Sequence, residues 1–134
     1  MASTFDIPGE SAPQPLVCSQ FVVTDYKKGV LTARLTGPHI GEREAQIIAR
    51  ELNAAIAAAD AQFKALVLDM KAVRALSSLG LGMCIDVRNS AAARGAKTFM
   101  YRLGRELFEL LRMMKMDRLY TLVHSRDEMK KLLR

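Results

Sequence analysis

The chain has 134 residues, half of them hydrophobic and a quarter charged, with a formal net charge of +6. That length and balance fit one soluble globular domain with a real core, and no apolar run approaches the roughly 18 residues that would span a bilayer. The charge is uneven: residues 1–93 balance nine Lys/Arg against nine Asp/Glu, while residues 94–134 carry eleven against five.

The opening segment "MASTFDIPGESAPQP" holds three prolines and no periodic pattern, so residues 1–15 read as a flexible tail and 16–134 as a single domain. "MASTFDIPGE" lacks a basic n-region and an apolar h-region, and Cys18 and Cys84 have no metal-type spacing. Two reduced thiols and a cytoplasmic setting are therefore expected.

Next, "QFVVTDYKKGVLTARLTG" alternates about the turn "KKG", with Leu31, Ala33 and Leu35 on one side of the second strand. The spacing then turns helical in "PHIGEREAQIIARELNAAIAAAD", where Ala45, Ile48, Ala49, Leu52, Ala55, Ile56 and Ala59 make one stripe. "KALVLDM" is a continuous apolar run, the pattern of a strand buried on both faces. A second helix is expected from Ser77 or Ser78 to a stop at Gly95. "KTFMYRL" is a further inner strand, and "GRELFELLRMMKM" a helix with Leu107, Leu110, Leu111 and Met114 at core spacing. "RLYTLVH" is the last strand, and Ser125 with Glu128 makes a capping box for a terminal helix. The order ββαβαβαβα requires crossovers, hence an α/β sandwich: a mixed, mostly parallel sheet covered by helices.

The stretch "RALSSLGLGM" is the richest in chemistry. It has no lysine to complete a P-loop and no third glycine for a dinucleotide fingerprint. Gly-x-Ser-x-Gly is absent as well, and although His39 lies in a loop that could approach Ser78, no oxyanion hole is evident. No His/Cys/carboxylate cluster has metal-ligand spacing, and no cofactor is expected. What remains is a helix start in which Ser77 caps and Ser78 occupies the first turn. A phosphate there would meet free backbone N–H groups and the positive end of the helix dipole. Gly80 and Gly82 are expected to leave that turn bare for a partner's close approach.

The run "LVLDM", "KAVRAL", "SSLGLG" resembles the signature of STAS domains, in the branch of anti-sigma factor antagonists. Downstream, "LLRMMKMDRLYTLVHSRDEMKKLL" is similar to that family's closing helix, strand and helix, so the resemblance covers about residues 20–133. The resemblance implies a STAS-type sandwich and a non-enzymatic switch in bacterial transcription control. Its partners would be a serine kinase of the ATPase type that doubles as an anti-sigma factor, and a phosphatase. The matching phosphorylation position is Ser78, and the implied partner-binding residues are His39, Ile40, Ser77, Ser78, Leu79, Gly80 and Leu81. Ser77 stands where many members carry Asp, and "GPHI" places Ile40 where the family often has an acid. The alternative is a STAS accessory subunit of a larger assembly, such as a lipid-transport ATPase complex or a stress-sensing particle, with no phosphorylation cycle.

A second surface is suggested by Arg105, Phe108, Arg112 and Lys115, which share one side of the third predicted helix. The simpler reading is a solvated basic face with Phe108 folded into the core margin. The other is a docking face for an acidic partner. No recognition-helix or RNA-binding motif supports a specific nucleic acid.

Overall fold

The computed structural model describes residues 21–133. The 1–15 tail, Cys18 and the start of the predicted domain lie outside the described residues. Strand β1 (Val22–Lys27) turns at Lys28 and Gly29 into β2 (Val30–Leu35), and the two pair antiparallel. Gly29 has φ +82, and a Cβ there would stand 2.3 Å from the Gln62 carbonyl oxygen, so both its conformation and its neighbour require glycine.

After β2 come the two-residue β3 (His39–Ile40), helix α1 (Glu42–Ala58) and β4 (Ala65–Asp69). The short β5 (Ala75–Leu76) leads into α2 (Ser78–Ala93), then β6 (Lys97–Tyr101) and α3 (Arg105–Met113). A 3-10 turn (Met116–Arg118), β7 (Thr121–Val123) and α4 (Arg126–Leu133) complete the described chain. The main sheet runs β1-β2-β4-β6-β7, parallel except for the β1–β2 hairpin. This is the predicted mixed sandwich. It adds a separate two-stranded parallel sheet, β3 with β5, too short for any residue periodicity to reveal.

β4 is buried along its whole length because both faces of the sheet are covered. Leu66 and Leu68 face the larger core with α1, α2 and α3, whereas Ala65 and Val67 join Phe99, Val123 and Met129 beneath α4. The α1 stripe behaves as its spacing predicts, with Ala45, Ile48, Leu52, Ala55 and Ile56 buried. Cys84 is wholly buried, and loss of solvent pushes its thiol up to about 12, so it is a packing residue. The Tyr120 hydroxyl, also buried, donates to the Cys84 carbonyl at 2.6 Å and ties α2 to the chain entering β7.

The third helix departs from expectation. It ends at Met113, with Lys115 in the left-handed region at φ 61. Met114, placed in the core by spacing, is instead 53% exposed, and Met116 in the following 3-10 turn is buried in its stead. The left-handed residue rotates the chain away from the helical phase, so the heptad-like run stops mattering there.

The C-terminus of α1 has no basic residue of its own in the last turn. Arg94, at the C-terminus of α2, supplies the charge from outside. Its guanidinium donates to the carbonyls of Ile56 (2.6 Å), Ala59 (2.7 Å) and Asp60 (3.1 Å), and lies over the Phe63 ring. We expect Arg94→Ala to lower stability by about 1–3 kcal/mol, because these carbonyls lose a charged donor at the negative end of the helix. The midpoint of urea unfolding measures it; an unchanged midpoint would show that water replaces the guanidinium without cost.

Among the described residues, no helix is long and apolar enough to cross a membrane.

Candidate functional site

β4 ends at Asp69, and the loop from Met70 to Ser77 carries the chain to α2 along the C-terminal edge of the parallel strands. This edge is where helix starts and loops gather in an open α/β sheet, and so where ligands and partners most often meet it. Here the small β3–β5 sheet braces the loop. His39 pairs with Ala75 and Ile40 with Leu76; the amides of Arg74 and Ala75 both donate to the Pro38 carbonyl, and the Ser77 amide donates to that of Ile40. The start of α2 is thus tied by backbone bonds to the start of α1.

Ser77 has extended backbone geometry, and its hydroxyl accepts from the Gly80 amide at 3.1 Å. It is an N-cap of the ordinary kind, satisfying one of the orphan amides at a helix start. Ser78 follows as the first helical residue, exposed, with its hydroxyl not spent on the cap. Leu79 is 51% exposed, Gly82 is exposed with open space where a side chain would stand, and Ile85 is 39% exposed. These residues give the outward side of α2 an apolar strip headed by a hydroxyl.

Two predicted contact residues are buried away from that strip. Ile40 is 1% exposed: its side chain belongs to the large core, and only its carbonyl reaches the α2 start. Gly80 is buried too. A Cβ there would lie 2.9 Å from the Ile40 carbonyl oxygen and 3.2 Å from Leu76 Cδ2, so its bareness serves the closeness of α2 to β3 and not the approach of a partner. The expectation that both glycines open the turn is corrected: Gly82 does, Gly80 does not. Leu81 is half-buried against the core, and His39 is exposed beside the loop.

Asp69 and Arg102 were missed by sequence reasoning. The Asp69 carboxylate, 6% exposed, takes a two-pronged pair from Arg102 and also accepts from the Lys71 amide at 3.2 Å. Arg102 adopts φ 62 and lays its guanidinium over the Tyr101 ring. Its own charge is held more firmly by the hydrogen bond to Asp69. The pair fastens the loop leaving β4 to the loop leaving β6. An apolar run ending in Asp is visible in sequence, but nothing local marks its arginine 33 residues away.

Between the β4–β5 loop and the start of α3, an open cleft of about 390 Å³ is lined by Lys71, Arg74, Arg105 and Glu106 among others. The predicted basic face of the third helix is only partly assembled. Phe108 sits between Arg112, 5.8 Å above its ring, and His124, whose ring centre is 4.8 Å away. Arg105 faces Glu109 at 3.8 Å, and Lys115 falls beyond the helix end, off the shared face.

A mixed five-stranded sheet with helices on both faces and a capped, outward helix start at its C-terminal edge defines a small α/β module. The STAS domain model matches residues 22–129, and the chain belongs to that family. Its fold is similar to that of an anti-sigma-factor antagonist STAS protein from Planctomyces limnophilus, at TM-score 0.75 and 13% identity over 87% of this chain and 100% of that one. An anti-sigma factor antagonist from Mycobacterium paratuberculosis gives TM-score 0.67 and 20% identity over 80% and 87%. The anti-sigma factor antagonist SpoIIAA in its unphosphorylated form gives 0.69 and 11% over 84% and 96%. No curated protein sequence matches the chain.

Proposed function

We propose that this chain is a cytoplasmic, non-enzymatic switch that binds an anti-sigma factor of the ATPase-kinase type through the outward start of α2. In this reading the partner phosphorylates Ser78, and a phosphatase resets it. The observation that carries the reading is the division of labour between the two serines: Ser77 caps the helix, leaving the exposed Ser78 hydroxyl available beside the apolar Leu79. The STAS family and the antagonist-like fold are in keeping with it.

Physically, a phosphate on Ser78 adds close to two negative charges at the positive end of α2 without unfolding it. The Ser77 hydroxyl holds the cap and backbone bonds hold the β3–β5 brace, so the change is confined to the docking edge. A partner that seats Leu79 against its own apolar surface would have to desolvate the phosphate, an obstacle of a few kcal/mol and thus about a hundredfold in affinity.

The test uses the full chain and its Ser78→Ala and Ser78→Asp variants as baits in lysate of the source cell. Retention of a kinase-type ATPase by Ser78→Ala, and its loss with Ser78→Asp, is the expected outcome. Equal capture by both variants contradicts the switch. Capture of a transport ATPase or a large particle, indifferent to Ser78, would favour the accessory-subunit alternative instead. Loss of a hydrolytic activity in Ser78→Ala would show that the serine is a nucleophile.

A further inference from the structure

The excess positive charge of the chain has a place in the fold that the docking edge does not use. At the opposite end of the sheet, where the parallel strands begin, the backbone links a row of basic positions. The Gly29 carbonyl, next to Lys28, accepts from the amides of Lys64 (2.8 Å) and Ala65 (3.2 Å), and the Lys97 amide donates to the Lys64 carbonyl at 2.9 Å. One strand further, the Thr98 hydroxyl donates to the carbonyl of Leu119, which brings the 3-10 turn and the end of α3 to the same level. Lys28, Lys64 and Lys97 are all exposed, as are Arg112, Lys115 and Arg118 around that turn. The acids at this end are Asp60, which receives the Tyr26 hydroxyl and the Gln62 amide, and Asp117.

Among these cations stand the most exposed large apolar side chains of the described residues. Met113 is 78% and Met114 53% exposed, adjacent in sequence and carried on the turn that Lys115 makes with positive φ. Leu132 of α4, 41% exposed, borders a notch shared with Lys64 and Lys97. An apolar tip flanked by Arg112, Lys115 and Arg118, at the end of the sheet that also carries the lysine row, is suited to a surface that is negative at its boundary and apolar beneath it. Nucleic acid would offer the charge but no apolar layer for the methionines.

We propose that this end of the domain docks peripherally on an anionic lipid bilayer, with Met113 and Met114 entering the headgroup boundary. Docked this way, α2 points away from the membrane, because α2 starts at the other end of the strands. The lysine row supplies attraction that depends on salt; the methionines supply a short apolar insertion. With a single small apolar tip the binding is weak and reversible.

The experiment is co-sedimentation of the full chain with vesicles of phosphatidylcholine alone, or mixed with phosphatidylglycerol. The chain is expected to bind the mixed vesicles at low salt, leave them at high salt, and ignore phosphatidylcholine alone. Lys64→Glu with Lys97→Glu should weaken binding at least about tenfold. Met113→Ser with Met114→Ser should weaken it several-fold; both pairs are exposed, and circular dichroism checks that the fold is kept. Ser78→Asp should bind vesicles as the parent does. Equal binding to neutral vesicles, indifference to both double substitutions, or retention of a short DNA duplex without vesicle binding would each overturn the proposal.

Discussion

Gly80→Val is expected to cost this domain several kcal/mol, while Gly82→Ala, two residues on in the same helix, should stabilise it. At Gly80 even a methyl group would meet the Ile40 carbonyl oxygen at 2.9 Å and Leu76 Cδ2 at 3.2 Å. The first of these is backbone, held by the Ser77 amide and by the β3–β5 pairing, so it cannot step aside as a flexible side chain would. Overpacking of this kind costs about 1–3 kcal/mol for a small group and more for a branched one. The helix propensity gained by replacing glycine, about 1 kcal/mol, does not offset it. At Gly82 no atom lies within 4 Å of the added Cβ, so the propensity gain of about 0.5–1 kcal/mol stands alone. Denaturant unfolding of Gly80→Ala, Gly80→Val and Gly82→Ala checks the signs. A stabilised Gly80→Ala would mean that α2 can slide off β3 freely, and the brace of the docking edge would be wrong.

Asp69→Ala should remove about 2–3 kcal/mol. The substitution deletes both prongs of the Arg102 pair and the acceptor for the Lys71 amide, and leaves a guanidinium without its carboxylate. Breaking a fully buried pair costs about 3–5 kcal/mol, but the Arg102 side chain is 36% exposed and can turn to water, which lowers the figure. A double-mutant cycle with Arg102→Ala separates the pair from the rest of the carboxylate's work. A coupling near zero would show that Asp69 matters only through the Lys71 amide.

These two sites also show what was legible in the chain. Long, periodic segments declared themselves: the α1 stripe, the β1–β2 hairpin and the doubly buried β4 needed only the spacing of apolar residues. Ser77 as a cap was readable too, since capping is a local matter of a hydroxyl and an amide three residues apart. What stayed hidden was set by contacts distant in sequence. A glycine that admits a neighbour inside the fold reads the same as one that leaves space outside, and only the position of Ile40 separates Gly80 from Gly82. Arg102 carries no local sign of its left-handed backbone or of Asp69. The end of α3 was misplaced for a related reason: Lys115 makes the turn without a glycine, so the apolar spacing ran on through Met114 with nothing to stop it.

The β3–β5 sheet ties these points to the proposed switch. It holds the helix start to β3 by backbone bonds, so a charge placed on Ser78 would alter the surface without loosening the core. The apolar strip of Leu79 and Ile85 faces outward.

The most direct measurement is mass spectrometry of the chain isolated from its source cells under phosphatase inhibition. One phosphate is expected, located on Ser78, absent from Ser78→Ala, with Ser77 unmodified because its hydroxyl is engaged in the cap. A phosphate found on Ser77, or a chain that carries none while the proposed kinase is active, would contradict it.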